Sequence, residues 1–354
     1  MNIIIVAPSL DTKSNVSGVS SVTSFIIKNN VSQDYLHFQQ GKQDNEGTGL
    51  NRYLRVYRTY TKWKQILTDY PNAFIHFNYP LDAPSIVRDY LFIRYAYRHN
   101  RRMVIHLHGG LYLFKEDKPW IIDKILKTVF GFNVPLIVLS DKEKEHICRV
   151  YHRNNVFSLP NCIETSVAKA FMRDENKGCL RLLYLGRIEK NKGIDYILDA
   201  LRVLDNHGME FVFRFAGKEN IGGDYVERFK NSLGEKFEYC GVVSGKDKDE
   251  LLKNSDVFIM PSFYEGLPMA LLECMSFGVV PIVTDVGSIG EYVKNDKNGK
   301  IVKIRDTSTI VNALMEIDKD RVLLKRLSDN ARNTIFNSLR PEKYVEVLNT
   351  IYSF

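Results

Sequence analysis

The stretch FYEGLPMALLECMSFGVVPIV, residues 263–283, sets one glutamate just ahead of an apolar helix and a second one inside it. Pro268 suits a first helical position, and Gly278 the position just past the end. Between them, Met269, Ala270, Leu271, Leu272, Cys274, Met275 and Phe277 leave almost no polar face. An unpaired Glu273 carboxylate in such surroundings is costly to desolvate and calls for a partner, which need not be protein. From Glu265 to Glu273 the rise in pure helix is about 12 Å, similar to the span of a sugar joined through a diphosphate to a ribose. Free N–H groups at the helix start, Met269 and Ala270 among them, suit a phosphate. Two readings stand: the acids bracket such a ligand, or Glu265 is a surface residue and Glu273 a core residue paired with a lysine or arginine.

Working outward, continuous apolar runs alternate with helix-length segments, the pattern of parallel α/β domains with strands buried on both faces. Strands are predicted at 3–8, 73–78, 103–108, 136–140 and 156–160, then at 180–186, 211–217, 237–241, 257–262 and 280–284. Helix candidates include 18–29, 194–207, 224–234, 268–277, 307–317 and 320–337. The polar run TSVAKAFMRDENKG (165–178) separates the two series and reads as a linker. This predicts a doubly wound N-terminal domain over 1–164 and another over 179–337. A last helix within 338–354 is expected to pack back on the first domain. Two such domains facing each other would bound a cleft at the carboxyl ends of their strands.

At 354 residues the chain is too long for one ordinary core, and its 44% hydrophobic and 26% charged content is that of a globular protein. The first residues, MNIIIVAPSL, lack a basic leader and read as a strand, and no run is long and apolar enough to span a membrane. Five scattered cysteines without CxxC spacing make a disulfide framework or zinc site improbable and fit a reducing cytoplasm. Residues 1–170 carry 22 Lys+Arg against 14 Asp+Glu, and the remainder 27 against 28, so the excess of +7 lies in the N-terminal half. RYLRVYRTYTKWK (52–64) and RYAYRHNRR (94–102) mix cations with aromatics. That mixture suits an anionic membrane surface or nucleic acid, and equally an ordinary solvated helix face. The asymmetry between halves favours the membrane.

A second constellation follows the strand LRLLYLG, which ends in Gly186 and leads to Arg187, Lys192 and Gly193. A fork-shaped guanidinium and a point-charge ammonium on such a loop balance a diphosphate, or else form a plain cationic loop. No GxGxxG, Walker A, HExxH or EF-hand pattern is present.

EGLPMALLE with its E-x7-E spacing, GR-x4-KG, PIVTDVGSIGEYV…NGKIV and LPNCIE (159–164) together resemble the retaining GT-B glycosyltransferases of family 4, the glycosyl transferases group 1. The motifs cover mainly residues 155–303. The resemblance implies two Rossmann-like domains and metal-independent transfer from a UDP- or GDP-linked sugar, with no further cofactor. It implies that Arg187 and Lys192 hold the diphosphate, that Glu265 touches the donor sugar and that Glu273 touches the ribose. Gly186, Gly241, Gly266, Leu267, Met269 and Ala270 would complete the donor contacts. NVSGVSSV stands where the family has a Gly-rich loop, with Gly18 retained and Ser17 in place of a usual glycine. In HLHGG (106–110), His108 matches the family's histidine near the reaction centre, whereas His106 reads as a structural histidine.

The expected partners are a nucleotide-sugar donor, a saccharide or lipid-linked acceptor and an anionic inner-leaflet surface, but not nucleic acid. The expected role is surface polysaccharide assembly in the cytoplasm. A nucleotide-sugar epimerase on the same fold and a catalytically silent binding protein are the alternatives. The first needs no acceptor, and the second no turnover.

Overall fold

A computed structural model describes residues 1–11, 15, 17–41, 50–110, 112–173, 178–219 and 222–354. The chain divides into two compact units, Met1–Cys162 with Pro341–Phe354, and Ile163–Arg340.

The N-terminal unit runs β1 (Asn2–Ala7), α1 (Gly18–Asn29), β2 (Asp34–Gln39), α2 (Leu50–Asp69), β3 (Phe74–Pro80), α3 (Ala83–Arg98), β4 (Met103–His108), α4 (Trp120–Phe130), β5 (Leu136–Val138), α5 (Asp141–Tyr151) and β6 (Val156–Ser158). Its strands are parallel, in the order β2-β1-β3-β4-β5-β6. Ile3, Ile4, Ile5 and Val6 of β1 are all buried, because helices cover both faces of a parallel sheet.

The C-terminal unit runs α6 (Ser166–Ala170), β7 (Leu180–Leu185), α7 (Ile194–Asn206), β8 (Phe211–Ala216), α8 (Tyr225–Leu233), β9 (Phe237–Gly241), α9 (Gly245–Lys253), β10 (Val257–Met260), α10 (Met269–Ser276), β11 (Val280–Thr284), α11 (Ile289–Tyr292), β12 (Lys300–Val302), α12 (Thr307–Lys319) and α13 (Arg321–Ser338). Its parallel sheet has the order β12-β11-β10-β7-β8-β9. Phe213, Phe215 and Phe229 stack beneath it, with the Phe215 and Phe229 rings 4.8 Å apart.

The last helix, α14 (Pro341–Tyr352), belongs to the N-terminal unit. Tyr344 packs edge-on against Phe25, and Asn349 accepts a 2.8 Å hydrogen bond from Asn30. Where a linker was expected over 165–178, Ser166–Ala170 forms a short helix of the second unit, and residues 174–177 lie outside the described residues.

Two strands and several helices escaped the sequence reading. Each of them, β2 and β12, is one of the two outer strands of its sheet. Most of β2 is partly exposed, so it lacks the apolar run of a central strand. The helix candidates omitted α2, α3, α4, α5, α6, α9 and α11. α10 begins one residue later than expected, with Pro268 as its N-cap, and Gly278 follows its end with φ +73°.

In a doubly wound sheet the chain reverses its direction of travel at a switch point, where crossovers diverge and leave a crevice at the strands' carboxyl ends. That point lies between β1 and β3 in the N-terminal unit and between β7 and β10 in the C-terminal unit.

Candidate functional site

At the C-terminal switch point, the loop after β7 and the loop after β10 are tied together. Gly193 has φ +74°, and a Cβ there would stand 2.2 Å from the Pro261 carbonyl oxygen, so only glycine allows the two loops to cross. The Phe263 N–H donates to the Asn191 carbonyl at 2.9 Å, and the Asn191 amide donates to the Tyr264 hydroxyl at 2.9 Å. This crossing brings Lys192 Nζ to 2.7 Å from Glu265 Oε1, with the side chains 21% and 10% exposed. A third segment supports them from below. Gly287, at φ +57°, lets the backbone approach Glu265, where a Cβ would be 2.3 Å from the carbonyl oxygen; the Ser288 N–H donates to Gly266 O at 3.0 Å.

α10 starts immediately beyond. Its N-cap Pro268 offers no side-chain acceptor, and its first turn holds no acid. The N–H groups at Met269 and Ala270 therefore carry the positive end of the helix dipole without an internal counter-charge. Met269 and Leu267 are buried, and Ala270 and Gly266 are half-buried.

Glu273, on the second turn of α10, has a protein partner: Lys248 Nζ of α9 lies 2.7 Å from its Oε1. The pair is 28% and 20% exposed, so it is accessible from solvent. Lys248 was not a sequence candidate; it lies on another helix, 25 residues away. Glu265, for its part, is mostly buried and paired, not the surface residue of the alternative reading.

Arg187 follows β7 and is half-buried; its carbonyl accepts the hydroxyl of the buried Tyr184. Burial first, and then the Glu265 and Glu189 carboxylates, push the Tyr184 phenol well above its usual range. Gly186 and Gly241 mark the carboxyl edge of the sheet. The Gly186 N–H donates to Ala216 O at 3.0 Å, and Gly241 O accepts from Gly217 N–H at 2.7 Å.

In the N-terminal unit Gly18 opens α1 and is exposed, with Ser17 as N-cap; Val16 of the same loop lies outside the described residues. His108 ends β4, half-buried, with Nε2 2.6 Å from Asn78 Oδ1 of β3. The His106 ring, fully buried, sits 4.1 Å from that of His108 on the same face of the strand. His106 Nδ1 is 3.1 Å from His76 Nε2, and His76 Nδ1 is 2.7 Å from the Tyr352 hydroxyl of α14. Burial lowers His76 to about 3, lowers His108 to about 3 with a smaller contribution from His76, and holds His106 well below its usual value. All three rings are neutral near pH 7. His76 and Asn78 were missed from sequence. The alternation in HFN (76–78) against HLH (106–108) carried a signal, legible only once β3 and β4 are known to pair.

The basic-aromatic cluster at 52–64 falls on α2. Trp63 is fully buried beneath it and Lys64 lies over the Tyr60 and Tyr95 rings, whereas Tyr57, Arg58 and Lys62 are exposed. In the 94–102 cluster, Arg94 lies over Tyr90 and Arg102 over Phe74. Part of this aromatic and cationic content is thus packing. Among the described residues no group of His, Cys, Asp and Glu is placed to hold a metal ion, and no helix is long and apolar enough to cross a membrane.

Residues 169–334 match the family model of glycosyl transferases group 1. A UDP-Gal:alpha-D-GlcNAc-diphosphoundecaprenol alpha-1,3-galactosyltransferase of Escherichia coli is 26% identical over 267 residues, covering 70% of this chain and 68% of its own. The chain spans less of other curated relatives, 40% and 39% of two of them. Sucrose-phosphate synthase from Thermosynechococcus elongatus superposes with a TM-score of 0.79 at 17% identity, covering 99% of this chain and 98% of its own. HepE of Anabaena, solved in complex with UDP-glucose, superposes with a TM-score of 0.75 at 13% identity over 100% of both chains. These likenesses show the fold, α/β with two Rossmann-like parallel-sheet units of the GT-B class. The family-model match, which coincides with the C-terminal unit, and the relatives together support a GT-B glycosyltransferase of group 1.

Proposed function

We propose that the chain is a retaining, metal-independent glycosyltransferase that moves a sugar from a nucleoside diphosphate to a saccharide or lipid-linked acceptor. The observation that carries this reading is the Lys192–Glu265 pair at the C-terminal switch point, four residues ahead of the uncapped N-terminus of α10. In this reading the pair keeps both charges partnered until the donor arrives. Lys192 then exchanges a carboxylate for phosphate oxygens, and Glu265 turns to the sugar hydroxyls. Arg187 and the α10 N–H groups share the diphosphate, and Glu273 receives the ribose diol.

The C1–O bond to the diphosphate breaks as the acceptor oxygen bonds to C1 on the same face. The acceptor's proton passes to the departing phosphate oxygen, so no separate base is needed. Preorganised cations aimed at the developing charge supply the largest share of such a rate gain. Fixed cations thereby take the place of a metal ion. In this reading His108 meets a hydroxyl of the transferred sugar.

The name of the Escherichia coli relative makes UDP-galactose the first donor to try and a diphosphate-linked polyprenyl saccharide the first acceptor. The exposed Arg58 and Lys62 of α2 support contact with an anionic inner-leaflet surface in surface polysaccharide assembly. A thermal-shift series with UDP-, GDP-, ADP- and CMP-sugars tests the donor reading, since a ligand of the native state raises its melting point. No shift with any of them would overturn it.

A further inference from the structure

Asn78 sits where the identity of each amide atom can be deduced. One of its amide atoms lies 2.9 Å from the Val6 carbonyl oxygen and 3.2 Å from Thr23 Oγ1. The Thr23 hydroxyl hydrogen is used on the Val19 carbonyl at 2.8 Å, so Thr23 Oγ1 is an acceptor towards Asn78. Two acceptors facing one atom require that atom to be the NH₂ nitrogen. The other atom, Oδ1, can only accept, and it faces His108 Nε2 at 2.6 Å. His108 Nε2 therefore carries the proton. The remaining ring nitrogen of the neutral imidazole, Nδ1, bears a lone pair, and no further hydrogen bond of this ring is formed among the described residues.

We propose that Asn78 is a positioning residue: through one hydrogen bond it holds His108 as the neutral Nε2–H tautomer, whose Nδ1 lone pair accepts a hydrogen bond from a hydroxyl of the transferred sugar. The proposal deepens the reading of His108 given above and rests on it. An amide is the side chain the task requires, because a carboxylate in its place would accept the same bond and also stabilise the imidazolium. A protonated Nδ1 would donate, and so attract phosphate or carboxylate oxygens. A lone pair there selects a neutral hydroxyl-bearing sugar and disfavours a uronic acid. The ionisable groups that bear on the ring are His106 on the same strand and His76 on β3; Val6 and Thr23, which face Asn78 from β1 and α1, are uncharged.

Long-range ¹H–¹⁵N spectra of the full chain labelled in histidine test the tautomer directly. His108 is expected as Nε2–H with an unprotonated Nδ1 from pH 5 to 8; an Nδ1–H tautomer, or titration in that range, overturns the proposal. Asn78→Asp is expected to raise the His108 pKa into that window, so that transfer from UDP-galactose increases with pH as the ring loses its proton. A merely structural Asn78 would lower the melting temperature and leave the His108 resonances unchanged, which also overturns it. If the variant does not fold, the wild-type spectra still decide the tautomer. Should the variant show an imidazolium and yet a flat pH–rate profile, the sugar contact of His108 fails while the tautomer stands.

Discussion

The two units bring together groups of different chemical character. In the C-terminal unit the loops after β7 and β10 bring together a lysine and a glutamate 2.7 Å apart, beside an uncapped helix start and a second lysine–glutamate pair. In the N-terminal unit β3 and β4 bring together three histidines and an asparagine, neutral groups joined by hydrogen bonds. The contrast follows from what each would face: a diphosphate needs charge, whereas hydroxyls need oriented acceptors. On the proposed reading one topology would serve two kinds of recognition, because the sheet fixes where the loops meet and the side chains fix what they meet with.

The sharpest way to break the contrast is acid. His76 is lowered to about 3 in the folded state, so the unfolded chain binds its proton more readily below about pH 6.5. Its contribution is complete above that value and is lost as pH falls, by about 1.4 kcal/mol per pH unit. Both tryptophans, Trp63 and Trp120, belong to the N-terminal unit, so their fluorescence follows that unit alone. Its melting temperature is expected to drop between pH 7 and 5, and a pH-independent transition would remove the neutral-histidine account.

Next in size, Lys192→Ala or Glu265→Ala should lower turnover by at least about 100-fold with the circular dichroism spectrum unchanged. Wild-type rates in either folded variant would show the C-terminal pair to be structural. Gly193→Ala places a side chain against Pro261 in a backbone region that disfavours it. A loss of about 1–3 kcal/mol is expected, read from denaturant unfolding followed by far-ultraviolet circular dichroism. Arg58→Ala and Lys62→Ala should each weaken binding to anionic vesicles by about 1 kcal/mol; unchanged sedimentation would confine electrostatics to the C-terminal unit. The smallest effect is expected for Lys248→Met. Its pair with Glu273 is partly exposed, so stability should change by less than about 1 kcal/mol, and a larger loss in chemical denaturation would mark that pair as core.

The central strands of both sheets were legible because burial on both faces imposes continuous apolar runs, as in β1 and β11. The edge strand β2, in which Phe38 alone is buried, and β12 were not read, although the edge strands β6 and β9 were. Among the candidate residues, Lys192, Gly193 and Glu265 lay in recognisable motifs, and Gly193 also shows why its motif tolerates nothing larger. Lys248, Asn78 and His76 were invisible for a common reason: each acts on a residue of another element, at separations of 25 to 30 residues.

The sequence alone determined that the chain forms two series of buried parallel strands with helices between them, and that a helix follows close behind Glu265; Pro268 is its N-cap rather than its first residue. These are consequences of local periodicity and backbone geometry, which act over a few residues. Which cation faces which acid, and which nitrogen of His108 bears the proton, was decided only by the order and register of the strands. Those set distances of a few ångströms between residues that the chain keeps far apart.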